Sequence, residues 1–203
     1  LLVTDALVGI SAEPPALFDL DPTPLLFHAR ERGDEPLDDS VEARRRGWAR
    51  LVLFASYLRP ERLEVPSTAQ VLRLALRRGL RSPRSHFGLY PFQWLSGWQD
   101  SAKALMGDEE PCLQVAPVLE RLVLPRAQNT LMSWLNSAAE LDGVQWLIPA
   151  HYSAPIAFTS TRIKEFSQQL AERHWGNNQG NWAFLASIDT KLLDLGVVPS
   201  KPC

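Results

Sequence analysis

The chain has 203 residues, 45% of them hydrophobic and 22% charged, with 21 Lys and Arg against 23 Asp and Glu. That balance suits one globular domain with a sizeable core. A net charge of −2 leaves no global basic field to recruit nucleic acid or anionic lipid, and no apolar run reaches the ~18 residues of a membrane-spanning helix.

In chain order, "LLVTDALVGI" (1–10) reads as one buried strand ending at Asp5 or shortly after it, because β-branched and apolar residues run together before "EPP". Residues 11–40 read as a long irregular segment, with four prolines between Pro14 and Pro24 and then the acidic turn "ERGDEPLDDS". Asp39 or Ser40 can cap a helix over 41–58, in which Trp48, Leu51, Val52, Ala55 and Leu58 follow helical spacing and Pro60 is the stop. The spacing predicts a second helix over 67–80. Val71, Leu72, Ala75 and Leu76 form its buried stripe, and Arg73, Arg77 and Arg78 its outer face. A shorter helix is expected over 97–106.

"LQVAPVLERLVL" (113–124) fits strand or helix, with a break at Pro117. A helix over 127–141, with Leu131, Trp134, Leu135 and Ala138 inward, leads to a buried strand at 144–149. Thr159 or Ser160 caps a helix to about Arg173, and "HWGNNQGN" (174–181) is a polar turn. Asn181 caps a last helix to Leu195, which Gly196 stops. Helices separating two buried strands predict a helix-rich α/β class.

Three groups of residues carry candidate chemistry. Asp5 ends the first strand and His151, in "LIPAHYSAPIA", follows the last one. A strand fixes a ligand while its end loop leaves coordination positions open, so the pair is a candidate for metal binding. The competing reading is that Asp5 caps a turn and His151 bonds backbone. His28, in "LLFHARE", is open to the same two readings. The third group is "FGLYPFQWLSGW" (87–98), where Phe87, Tyr90, Phe92, Trp94 and Trp98 crowd around Gly and Pro. One element cannot bury them all, so Tyr90, Phe92, Trp94 and Trp98 are candidate contact residues.

The cysteines, Cys112 and Cys203, match no disulfide or zinc pattern, and reduced thiols in a non-secreted compartment are expected. "RRR" (44–46) reads as a solvated face beside acidic neighbours. No nucleophile elbow, phosphate-binding loop or dinucleotide fingerprint occurs. The chain opens in mid-strand without an initiator Met, signal peptide or transit peptide, and reads as a piece whose upstream part lies elsewhere.

Several segments resemble one family when taken together: "LLVTDALV", "EPP", "LDPTPLLFHARE", "RRRGWARLVLFASYLRP", "FGLYPFQW", "VAPVLERLVLPRA" and "IPAHYSAPIA". They are similar to domain of unknown function 4336, a metallo-β-lactamase-like family of cyanobacteria and plastid-bearing eukaryotes. The resemblance implies a helix-rich fragment of a degenerate αββα fold. Residues 1–173 would be the C-terminal half of that domain, and 174–203 a C-terminal helix and tail packed on it. It places Asp5 and His151 at the superfamily's second-metal positions, whereas the His-x-His-x-Asp-His cluster for the first metal would lie upstream.

The function expected of such a degenerate module is a non-catalytic accessory subunit or assembly factor, with the aromatic 87–98 segment and the Pro-rich 11–40 loop as contact surface. It would be bound peripherally to a thylakoid complex, photosystem I or II, through that complex's protein subunits. Its place would be the stromal side of the chloroplast thylakoid, or the cyanobacterial cytoplasm. No cofactor is required, and a pigment contact and a peripheral membrane association are allowed. The alternative is a metal-dependent hydrolase of a small ester or thioester, with zinc held by Asp5, His151 and His28.

Overall fold

The computed structural model describes residues 1–31, 35–78, 85–86, 90–91, 93–108, 110–172 and 180–200. The first ten residues form two strands, β1 (Leu2–Thr4) and β2 (Val8–Ile10), where a single strand was expected. Between them Ala6 N–H donates to the Val3 carbonyl at 3.0 Å, and Thr4 takes φ 45°. A positive φ is unusual for a β-branched residue, so this turn is held by its surroundings.

The 11–40 segment is likewise more ordered than its prolines suggest. After a short 3-10 turn at Ala16–Asp19 comes helix α1 (Thr23–Ala29). Pro24 lies in its first turn, where a missing N–H costs nothing, so the proline opens the helix. Helix α2 (Val41–Tyr57) is capped as expected, with Ser40 Oγ accepting from Ala43 N at 3.1 Å.

There follow β3 (Leu63–Glu64), α3 (Thr68–Arg78), β4 (Ser85–His86), β5 (Tyr90–Pro91), β6 (Gln93–Trp94) and α4 (Trp98–Lys103). The ambiguous 113–124 segment divides at its proline into β7 (Cys112–Gln114) and α5 (Pro117–Leu122), with Pro117 again in the first turn. Helix α6 (Gln128–Ala139), β8 (Trp146–Pro149), β9 (Ile156–Ala157), α7 (Ser160–Glu172) and α8 (Trp182–Asp194) complete the order.

Thr159 Oγ1 caps α7, accepting from Arg162 N at 3.1 Å. Asn181 makes no such cap on α8. It is fully buried, and its side chain accepts from Glu61 N at 2.7 Å and donates to Ser101 Oγ at 3.0 Å. It therefore ties the start of α8 to the turn between α2 and β3 and to α4. Residues 174–179 of the expected polar turn lie outside the described residues. Gly196, at φ 67°, ends α8.

β1 pairs parallel with β8, and β9 pairs antiparallel on the other side of β8. β2 pairs with β7, β3 with β6 and β4 with β5, all antiparallel. Val3 and Leu147 of the three-stranded sheet pack against Leu131 and Leu135 of α6 and Ile163 and Phe166 of α7. A second core gathers Trp48, Val52, Leu53 and Tyr57 of α2 with Val8, Ile10, Leu25 and Leu185. Burial of each such side chain contributes roughly 1.5–3 kcal/mol.

The β1–β8 pair is covered on one face only. Leu2, Trp146 and Ile148 alternate with the buried Val3 and Leu147 and are 74%, 50% and 37% exposed. The 144–149 run is therefore a one-sided strand and not the fully buried one its apolar content suggests.

Candidate functional site

Strand direction brings Asp5 and His151 together. β1 and β8 run the same way, with Leu2 opposite Ile148 and Thr4 opposite Pro149, so the residues that follow both strands leave at one edge of the sheet. Ala150 N–H donates to the Thr4 carbonyl at 3.0 Å. His151 Nε2 then lies 2.9 Å from Asp5 Oδ1, with both side chains more than half exposed.

The loop after His151 is laced to β2. Ser153 N–H donates to the Gly9 carbonyl at 2.9 Å, and the hydroxyls of Ser11 and Ser153 are 2.8 Å apart. Tyr152 has φ 66°, so both members of the pair stand next to a non-glycine residue in the left-handed region. Such strain costs of order 1–3 kcal/mol per residue and persists where the surroundings over-determine it. The Tyr152 ring meets Trp48 edge to face at 6.0 Å, and its burial pushes the phenol pKa up.

A cavity of about 760 Å³ opens beside the pair, walled by Pro15, Leu17, Phe18, Trp48, Leu119 and Tyr152. An apolar cavity with a few polar groups at one end is the usual form of a small-molecule site. Little in the sequence pointed to it, because its walls come from the 3-10 turn, α2, α5 and the 150–154 loop.

No third His, Cys, Asp or Glu joins Asp5 and His151 among the described residues. His28 sits instead on α1, with its ring 6.4 Å from that of Phe54 on α2. The donor set is thus one carboxylate and one imidazole bonded to each other. A zinc site takes three or four protein ligands, so the described residues do not fit a metal by themselves.

A model of a domain of unknown function, DUF4336, matches residues 1–169. The chain belongs to this family. No curated protein and no solved structure matches it. The DUF4336 match spans the Asp5–His151 edge and every wall of the cavity, whereas α8 lies beyond it and still contributes Leu185 to the core.

Within the DUF4336 region the contact reading of Trp94 and Trp98 needs correction. Both are 7% exposed, and their rings lie 5.7 Å apart. The β3–β6 pairing turns Trp94 inward, where the Arg50 guanidinium stacks 4.8 Å from Trp98 and 5.6 Å from Trp94. A cation held this close to the rings is attracted by their π faces inside the domain. Phe87 and Phe92 lie outside the described residues, and Tyr90 is described only by its backbone pairing with His86.

Proposed function

We propose that the protein is a non-catalytic accessory subunit or assembly factor that docks on a larger complex through the open face of the β1–β8 sheet. The observation that carries this reading is the exposed apolar stripe of Leu2, Trp146 and Ile148. Parallel strands are ordinarily covered on both faces, and tryptophan is among the residues that dominate interface energies. The family resemblance supports a thylakoid complex, photosystem I or II, as the host, with the protein on its stromal side. It also supports descent from a metallo-β-lactamase-like αββα fold. The apolar cavity is the place for a pigment contact on this reading.

The test is a Leu2→Lys/Trp146→Lys variant compared with the parent chain on native gels of thylakoid membranes. Co-migration with a photosynthetic complex is expected for the parent and lost in the variant. Both positions are exposed, so the thermal midpoint stays within about 2–4 °C. Co-migration retained in the variant would remove the sheet face from the interface. A parent chain that never co-migrates would remove the thylakoid host.

One observation favours a second reading, a metal-dependent hydrolase of a small ester or thioester: the Asp5–His151 pair at the mouth of an apolar cavity. Asp5 and His151 would be two of its metal ligands, and the remainder would have to come from outside the described residues. Zinc titration by calorimetry decides it. A stoichiometric site that is lost in His151→Ala establishes the reading, and the absence of stoichiometric uptake ends it.

A further inference from the structure

Helix α3 departs from its sequence expectation. Leu72 and Leu76, one turn apart on one face, are 60% and 88% exposed, and no described element packs extensively on the helix. Arg73 is exposed beside them, and Arg77 follows four residues later in the sequence of the same helix. The surrounding sequence is one-signed. From Val65 to Gln99 it carries Arg73, Arg77, Arg78, Arg81 and Arg84 and no Asp or Glu, in a chain whose net charge is −2.

We propose that α3 lies on an anionic membrane surface, with Leu72 and Leu76 in the headgroup boundary and Arg73 and Arg77 on lipid phosphates. A bare leucine pair flanked by arginines is the composition of an interfacial helix. Charge complementarity selects the lipid: a neutral bilayer offers nothing to a segment of five arginines, whereas anionic headgroups attract each of them. At 11 residues the helix is about 16 Å long, and none of the described helices is long and apolar enough to cross a membrane. The contact is therefore peripheral and reversible. It uses an element apart from the β1–β8 face, so the two proposals stand or fall separately.

The experiment is co-sedimentation of the full chain with phosphatidylcholine vesicles, with and without phosphatidylglycerol. Binding is expected only with phosphatidylglycerol, and added salt releases it. Arg73→Gln/Arg77→Gln should weaken binding about thirtyfold, since each arginine near such a surface contributes about fivefold. Leu72→Ser/Leu76→Ser should weaken it at least about tenfold with an unchanged thermal melt. If the serine pair disturbs the melt, the single Arg73→Gln change supplies the decisive arm, with about a fivefold loss expected. Vesicle binding that ignores phosphatidylglycerol, or variants that sediment like the parent chain, would overturn the proposal.

Discussion

Gly47→Ala is expected to destabilise the protein by roughly 3 kcal/mol or more, at the upper end of overpacking costs. Local propensity points the other way, because alanine in a helix interior is favoured over glycine by about 1 kcal/mol. Tertiary contact reverses the sign. A Cβ on Gly47 would stand 1.8 Å from the Leu25 carbonyl oxygen and 2.6 Å from its carbon. Those are backbone atoms of α1, so no rotamer change relieves the clash, and the whole helix must move away from α2. Leu25 would leave the core beside Trp48 and Val52, and Leu26 and Ala29 would lose their packing on Ala43. Urea denaturation of the variant beside the parent chain measures the effect. Equal or higher stability in the alanine variant would show that α1 and α2 do not meet this closely in solution.

Arg50→Met should cost about 3 kcal/mol, which for a chain of this size lowers the thermal midpoint by roughly 6–12 °C. Arg50 is 1% exposed. Its Nη1 donates to the carbonyls of His28, Ala29 and Arg30 at 3.3, 3.0 and 3.1 Å, and Nη2 pairs with Glu31. A cation is thus set at the C-terminus of α1, where the helix leaves carbonyls without internal partners and its dipole is negative. Burial lowers the Arg50 pKa, and the Glu31 charge partly offsets this. Methionine keeps the volume but leaves three carbonyls without their donor and removes the stack on Trp94 and Trp98. Lysine cannot replace the planar fork, so Arg50→Lys should recover less than half of the loss. The carbonyls matter more than the ion pair. Glu31 is half exposed, and Glu31→Gln is expected to cost under about 1 kcal/mol. A midpoint for Arg50→Met within 2 °C of the parent would refute this account of Arg50.

Much of the helical skeleton was legible in the chain itself. Ser40 before the periodic run of α2, Thr159 before α7 and Gly196 after α8 are local signals, and each depends on a side chain or backbone within a few residues. Pro117 was legible as a break but not as a helix start. The prolines at 14–24 hid α1 for the same reason, since a proline both ends elements and opens them. The Asp5–His151 contact was anticipated from the family resemblance, which places both residues at one site, and the parallel β1–β8 pairing delivers it.

The sequence by itself therefore determined where several of the helices begin and end, as at Ser40, Thr159 and Gly196. It could not say which apolar faces are covered, because that depends on partners far along the chain. Leu72 and Leu76 share a spacing with buried stripes elsewhere, yet no described element packs extensively on α3. Trp94 and Trp98 sit in a Gly- and Pro-rich stretch that suggests exposure, yet Arg50, more than forty residues upstream, draws them into the core. The first ten residues divide because β1 finds β8 while β2 finds β7, and only the folded chain brings those partners within hydrogen-bonding reach. Periodicity reports the preference of a segment for one shape. Burial is settled by the surfaces that long-range contacts bring against it.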